Sequence, residues 1–153
     1  PETLEFVLIF FREVLPFAQP HFDIVGQASD VEGSVAMIAQ TKPNVVLLDV
    51  HVPGGEGGGG AEILMKSRAY SPNTVFLALS VSDSPQDVGS VIRAGAQGYV
   101  TKTISGDDLI SSIKQVHEGY CRVFAEIGGI RAVRFPKWLT GWHGRLCKRT
   151  DPR

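Results

Sequence analysis

Three short apolar runs in this chain each stop abruptly at a polar side chain. Asn44-Val45-Val46-Leu47-Leu48 ends in Asp49, Val75-Phe76-Leu77-Ala78-Leu79 in Ser80, and Gly98-Tyr99-Val100-Thr101 in Lys102. Runs this short and this apolar read as strands buried on both faces. Leu4 to Phe10 and Phe22 to Gly26 read as two further strands. Helical spacing fills the intervals. Phe11 to about Gln19 has it, weakened by Pro16, which removes a backbone donor. Val31 to Thr41 places Val35, Ile38 and Ala39 on one face, with Asp30 as N-cap. Ala61 to about Tyr70 forms a third helix. Ser84 to Ala94 turns Val88, Val91 and Ile92 inward, and Gly95 suits its C-cap. A fifth helix opens at Ser105, with Asp108 three residues later as in a capping box. It presents Leu109, Ile110, Ile113 and Val116, and Gly119 ends it.

Five strands alternating with five helices predict a doubly wound α/β fold: a five-stranded parallel sheet with helices on both faces, in the flavodoxin-like order 2-1-3-4-5. Ligands of such sheets bind at the carboxyl ends of the strands, so Asp49, Ser80 and Lys102 would share one polar edge. Between Asp49 and the third helix lies a loop, His51 to Gly60, with six glycines and Pro53. It reads as too flexible to be the interior of an element. It lacks the Gly-Lys-Ser/Thr ending of a phosphate-cradling P-loop, so nucleotide binding is not expected, and His51 reads as a loop residue.

Composition changes this picture little, but charge divides it. The 153 residues are 43% hydrophobic and 20% charged, which is ordinary for one soluble domain. No apolar run approaches the ~20 residues of a membrane span, and the first residues lack a basic leader, so a cytoplasmic location is expected. The net charge of −1 conceals 14 acids and 7 bases in residues 1–120, against 8 bases and 2 acids in residues 121–153. The reading is therefore a domain over 1–120 and a basic tail of unassigned structure over 121–153. Ile127 to Ile130 and Ala132-Val133 have strand-like composition, but nothing sustained emerges. Trp138 and Trp142 are four apart, and with the basic residues they raise nucleic-acid binding as a reading. A tail without such a role is preferred. Cys121 and Cys147 are expected as free thiols, and His143 with Cys147 does not make a zinc site.

The polar strand ends also carry a resemblance. Asp49 within Val45-Val46-Leu47-Leu48-Asp49-Val50-His51-Val52-Pro53-Gly54, Ser80 within Leu77-Ala78-Leu79-Ser80-Val81-Ser82-Asp83, and Val91-Ile92-Arg93-Ala94-Gly95-Ala96 are three of its strings. The fourth is Gly98-Tyr99-Val100-Thr101-Lys102-Thr103-Ile104-Ser105-Gly106. Together they resemble the CheY-like receiver domain of two-component response regulators, of the LuxR/NarL type and with actinobacterial character, over about residues 4–124. The resemblance implies a signalling module rather than an enzyme. A sensor histidine kinase would phosphorylate Asp49, giving an acyl phosphate. Lys102 would pair with the phosphoryl oxygens. Ser80 would hydrogen-bond one of them, and Tyr99 would be the switch aromatic that follows Ser80. The fourth helix, last strand and fifth helix would form the output surface and a homodimer face. Mg²⁺ is the expected cofactor, and transcription regulation the expected output.

Two departures accompany it. Receivers carry acidic residues at the end of the first strand that hold Mg²⁺ beside the phosphoacceptor. Here that segment reads Val7-Leu8-Ile9-Phe10-Phe11-Arg12-Glu13, leaving Asp49, one backbone carbonyl and water as the expected ligands. A hard divalent ion needs several oxygens, so transfer is expected to be slow or absent. Glu13 lies a turn into the helix and is not favoured as a substitute. Secondly, nothing in residues 121–153 resembles the helix-turn-helix domain that follows such receivers, so DNA binding by this chain is not expected. A shifted reading frame or truncated copy would account for both the lost similarity and the basic composition. The competing functions are a phosphoacceptor receiver and a degenerate receiver that serves as a phosphorylation-independent interaction module. A small enzyme or nucleotide binder on the same fold is the distant third.

Overall fold

Strands that are apolar at every position need cover on both faces, and the sheet provides it. The computed structural model describes residues 5–9, 16, 21–81, 84–101, 104–118, 120–127, 130–132 and 149–150. Its strands are β1 (Glu5–Ile9), β2 (Asp23–Ala28), β3 (Val45–Leu48), β4 (Val75–Ser80) and β5 (Gly98–Thr101). Its helices are α1 (Val31–Thr41), α2 (Gly59–Ser67), α3 (Pro85–Ala94) and α4 (Gly106–His117). The five strands are parallel and ordered β2-β1-β3-β4-β5, as the sequence predicts.

Period-2 alternation divides β3, β4 and β5 between two cores. Val46, Leu48, Phe76, Ala78 and Tyr99 pack with Val31 and Ile38 of α1, Ile63 and Leu64 of α2, and Val91 and Ile92 of α3. Val45, Leu47, Leu77, Leu79 and Val100 pack on the other face with Leu109, Ile110, Ile113 and Val116 of α4. Each fully buried side chain of this size contributes roughly 1.5–3 kcal/mol relative to exposure. The helix starts are capped as expected. Asp30 accepts from the Gly33 N–H at 2.6 Å, Ser84 Oγ from the Asp87 N–H at 3.2 Å, and Ser105 Oγ from the Asp108 N–H at 3.1 Å.

The structure corrects one boundary. Helix α2 starts at Gly59, inside the segment expected to be loop, and ends at Ser67 rather than near Tyr70. The reason is close approach. The Gly60 N–H donates to the Val50 carbonyl at 2.8 Å. A Cβ on Gly60 would run into the Asp49 carbonyl oxygen, and one on Gly59 into that of Val50. Gly59 also has φ +61°, a conformation L side chains rarely adopt. These glycines serve packing of the helix start on the end of β3, not flexibility.

The sheet also continues past the fifth strand. Strand β6 (Tyr120–Ile127) pairs in parallel with β5, β7 (Ile130–Ala132) pairs antiparallel with β6, and β8 (Arg149–Thr150) pairs with β6. No strand pattern was legible over most of this stretch, because pairing to a distant edge supplies the order that composition does not. The expected helix from Phe11 to about Gln19, with Glu13, lies outside the described residues apart from Pro16, which is helical. So do Lys102, Gly119, Trp138, Trp142, His143, Cys147 and the side chain of Val88.

Candidate functional site

Because β3, β4 and β5 run in parallel, their carboxyl ends lie at one edge, and two of the three predicted polar groups stand there. Asp49 follows the last residue of β3 and is half-buried. The register Leu48↔Ala78 places Ser80 one residue further along the neighbouring strand. Adjacent strands are about 4.8 Å apart, so the two positions are neighbours. Ser80 is 1% exposed and pairs in register with Thr101 of β5, which is buried too. Thr101 was not singled out from sequence. Its position before Lys102 was the only available signal. Tyr99 is fully buried, opposite Ala78 and in the core beneath α1 to α3. By alternation it shares a sheet face with Ser80, so the two predicted switch residues lie on the same side. The structure therefore brings Asp49, Ser80 and Tyr99 into one corner of the sheet.

The segment after Asp49 is held from two directions. The His51 N–H donates to Asp49 Oδ1 at 3.1 Å. The His51 ring nitrogen Nε2 lies 3.2 Å from Asp87 Oδ2 in the first turn of α3. An ionised carboxylate can only accept, so the imidazole is the donor. His51 is a loop residue as expected, yet it touches both the candidate acceptor and the next helix. A cavity of about 540 Å³ opens between this loop and α3, bordered by His51, Pro53, Gly57, Asp87 and Ser90.

The glycine-rich loop turns its amides toward the chain's own carboxylates. Glu62 accepts from the Glu56 N–H at 2.9 Å and the Gly58 N–H at 2.9 Å, and Lys66 Nζ donates to it at 2.6 Å. Glu32 accepts from the Gly55 N–H at 2.7 Å. The Lys66 ammonium first, then the Glu56 and Gly58 amides, hold the Glu62 carboxyl down to about 2. Lys66 is raised in turn by its hydrogen bond to Glu62. At least three of the loop's amides, those of Gly55, Glu56 and Gly58, thus have carboxylate partners from the chain itself. Glu62 and Lys66 have the i, i+4 spacing of a helical ion pair, a signal present in the sequence but unused.

Comparison with known proteins settles the family. The model of the response regulator receiver domain matches residues 5–114, which span β1 to β5 and most of α4. The chain belongs to the response regulator receiver domain family. Its relatives place this receiver domain among those of NarL/LuxR type. It is 36% identical over 109 residues to the uncharacterized transcriptional regulatory protein YxjL of Bacillus subtilis, covering 71% of this chain and 48% of that protein. It is 32% identical over 100 residues to the nitrate/nitrite response regulator protein NarL of Escherichia coli K12, covering 65% and 45%. The chain thus spans about half the length of the curated relatives it matches. Among solved structures, the signal receiver domain of NarL from Mycobacterium tuberculosis superposes with a TM-score of 0.71 at 27% identity, covering 78% of this chain and 99% of that one.

Receiver domains are signalling modules that interact with sensor histidine kinases and generally bind Mg²⁺. The described residues of this receiver domain do not make up a ligand set for that ion. Strand β1 pairs with β3 up to Ile9↔Leu48. Phe10, Phe11 and Arg12 follow there, and none offers a carboxylate. Among the described residues, no three of His, Cys, Asp and Glu come together as a ligand set. No described helix is long and apolar enough to cross a membrane.

Proposed function

We propose that this receiver domain accepts a phosphoryl group on Asp49 from a sensor histidine kinase in a cytoplasmic two-component pathway whose output is transcription regulation. The observation that carries the reading is the half-buried Asp49 carboxylate at the end of β3, with the buried Ser80 hydroxyl one residue further along β4. In the transfer, a carboxylate oxygen of Asp49 attacks phosphorus, the bond to the kinase imidazole breaks, and that imidazole keeps the electron pair. Asp49 Oδ1 accepts from the His51 N–H at 3.1 Å, which orients the carboxylate. Ser80 is assigned to a phosphoryl oxygen, Lys102 to its charge, and Tyr99 to the switch that reads Ser80. The functional division is a receiver over residues 1–120 and a basic tail over 121–153, with DNA binding assigned to neither. The face of α3, β5 and α4 is the proposed output and homodimer surface.

The run from Phe6 to Arg12, which contains no acid, favours a second reading. In it, the domain works as an interaction module without phosphorylation. The two readings separate on incubation with acetyl phosphate and Mg²⁺, followed by intact-mass measurement. The first expects one added phosphoryl group, absent in Asp49→Asn. No adduct on protein shown to be folded by circular dichroism would overturn it in favour of the second.

A further inference from the structure

Helix α3 is held unevenly along its length. Its second half is packed: Val91, Ile92 and Ala94 are buried. A Cβ on Gly95, which caps its end, would run into the Arg68 guanidinium just after α2. The first turn instead borders a cavity of about 540 Å³, with Asp87 and Ser90 on its wall. Two bonds inside the turn shape it. The Asp87 N–H donates to Ser84 Oγ at 3.2 Å, and Ser90 Oγ donates to the Asp87 carbonyl at 2.9 Å. Neither ties the turn to the loop after β3. His51 does, because its Nε2 lies 3.2 Å from Asp87 Oδ2. The same residue donates its N–H to Asp49 Oδ1 at 3.1 Å. One residue thus holds a carboxylate with its backbone and another with its ring. The His51 side chain is 66% exposed and that of Asp87 23%, so water competes for the ring bond and its influence is modest.

We propose that His51 is a positioning residue that couples the orientation of the Asp49 carboxylate to the first turn of α3. Releasing the ring from Asp87 loosens the His51 backbone, and with it the amide that orients Asp49. Releasing the amide from Asp49 loosens the ring in turn, since coupling between two sites acts equally in both directions. The cavity gives the first turn room to move when the ring bond opens, while the packed second half of α3 stays in place. This route is separate from the chain that runs from Ser80 to Ser84. Its kinetic consequence rests on the phosphoacceptor reading of Asp49; the coupling itself does not.

The test uses the full chain and amide hydrogen–deuterium exchange read residue by residue by NMR. His51→Ala keeps the backbone N–H and removes the ring. It should speed exchange at Gly89 and Ser90 about two- to fivefold, the range of an exposed pair, with Val91–Ala94 unchanged. His51→Gln retains a side-chain N–H donor and should restore the wild-type rates. Adding His51→Ala to Asp87→Ala should bring no further increase, as for two partners in one interaction. Asp49→Ala removes Oδ1 and should speed the same two amides in wild type but not in His51→Ala. Unchanged exchange at Gly89 and Ser90 in His51→Ala would overturn the proposal. So would an Asp49→Ala effect that persists without the ring, since the signal would then travel by another route. In acetyl phosphate labelling, Asp87→Ala and His51→Ala should each slow the reaction about two- to fivefold, with His51→Gln at the wild-type rate. Equal rates across that series would overturn the positioning role. A wild-type chain that takes no label would overturn the phosphoacceptor reading alone, because the exchange measurements decide the coupling without it.

Discussion

The ends of β1 and β3 are adjacent, parallel and in register at Ile9↔Leu48, yet they carry opposite chemistry. Strand β3 ends in Asp49, whose carboxylate accepts from His51 and whose carbonyl lies under the Gly60 helix start. Strand β1 ends at Ile9, and the sequence continues with Phe10, Phe11 and Arg12. The sheet survives this difference because strand pairing depends on the apolar runs, which both strands keep. The chemistry of the site rests instead on one or two residues just beyond each run, so it can change while the sheet stays the same. Fold and activity are therefore separable here, and that separation can be attacked experimentally from both strands.

The largest effect is expected where β3 ends: Asp49→Asn should abolish the phosphoryl adduct on intact-mass measurement. On the β1 side, Phe10→Asp with Phe11→Asp puts two carboxylates into the sequence that follows Ile9. A well-coordinated divalent ion stabilises transferring charge by several kcal/mol, so Mg²⁺-dependent labelling by acetyl phosphate should rise by about 10²-fold. An unchanged rate would show that β1 lacks more than its acids.

Smaller effects test the bracing of β3. Gly60→Ala pushes a Cβ into the Asp49 carbonyl and should cost about 1–3 kcal/mol in urea unfolding, as overpacking does. The Glu62 clasp predicts a pH dependence. Its folded value of about 2 lies below its ordinary 4.5, so its contribution is fully present above about pH 4.5 and is lost as pH falls toward 2. Thermal midpoints should drop across that window, and Glu62→Gln should flatten this part of the drop. The smallest effect is expected from Asp87→Ala. It removes a solvent-exposed pairing with His51 and should cost no more than about 1 kcal/mol in the same urea assay.

Much of this was legible beforehand. The runs ending at Asp49 and Ser80 predicted the strands, and Asp30, Ser84 and Ser105 announced their helices, because capping and alternation are local rules. The start of α2 was misplaced because glycine's permissiveness suggested loop, whereas its lack of a side chain was what packing required. The Glu62 and Glu32 clasp went unread because its amides come from a loop whose path no periodicity describes.

By itself, the sequence determined the five-stranded core, its order, the place of Asp49 just after β3 and the acid-free run from Phe6 to Arg12. These follow from apolar periodicity and from residues at fixed offsets, which are properties of the chain's linear order. Only the tertiary structure decided that Gly59 and Gly60 press against the end of β3, that His51 joins Asp49 to α3, and that residues 120–127 extend the sheet beside β5. Each of these depends on groups distant in sequence meeting in space, and that meeting is settled by packing and backbone pairing rather than by any local pattern.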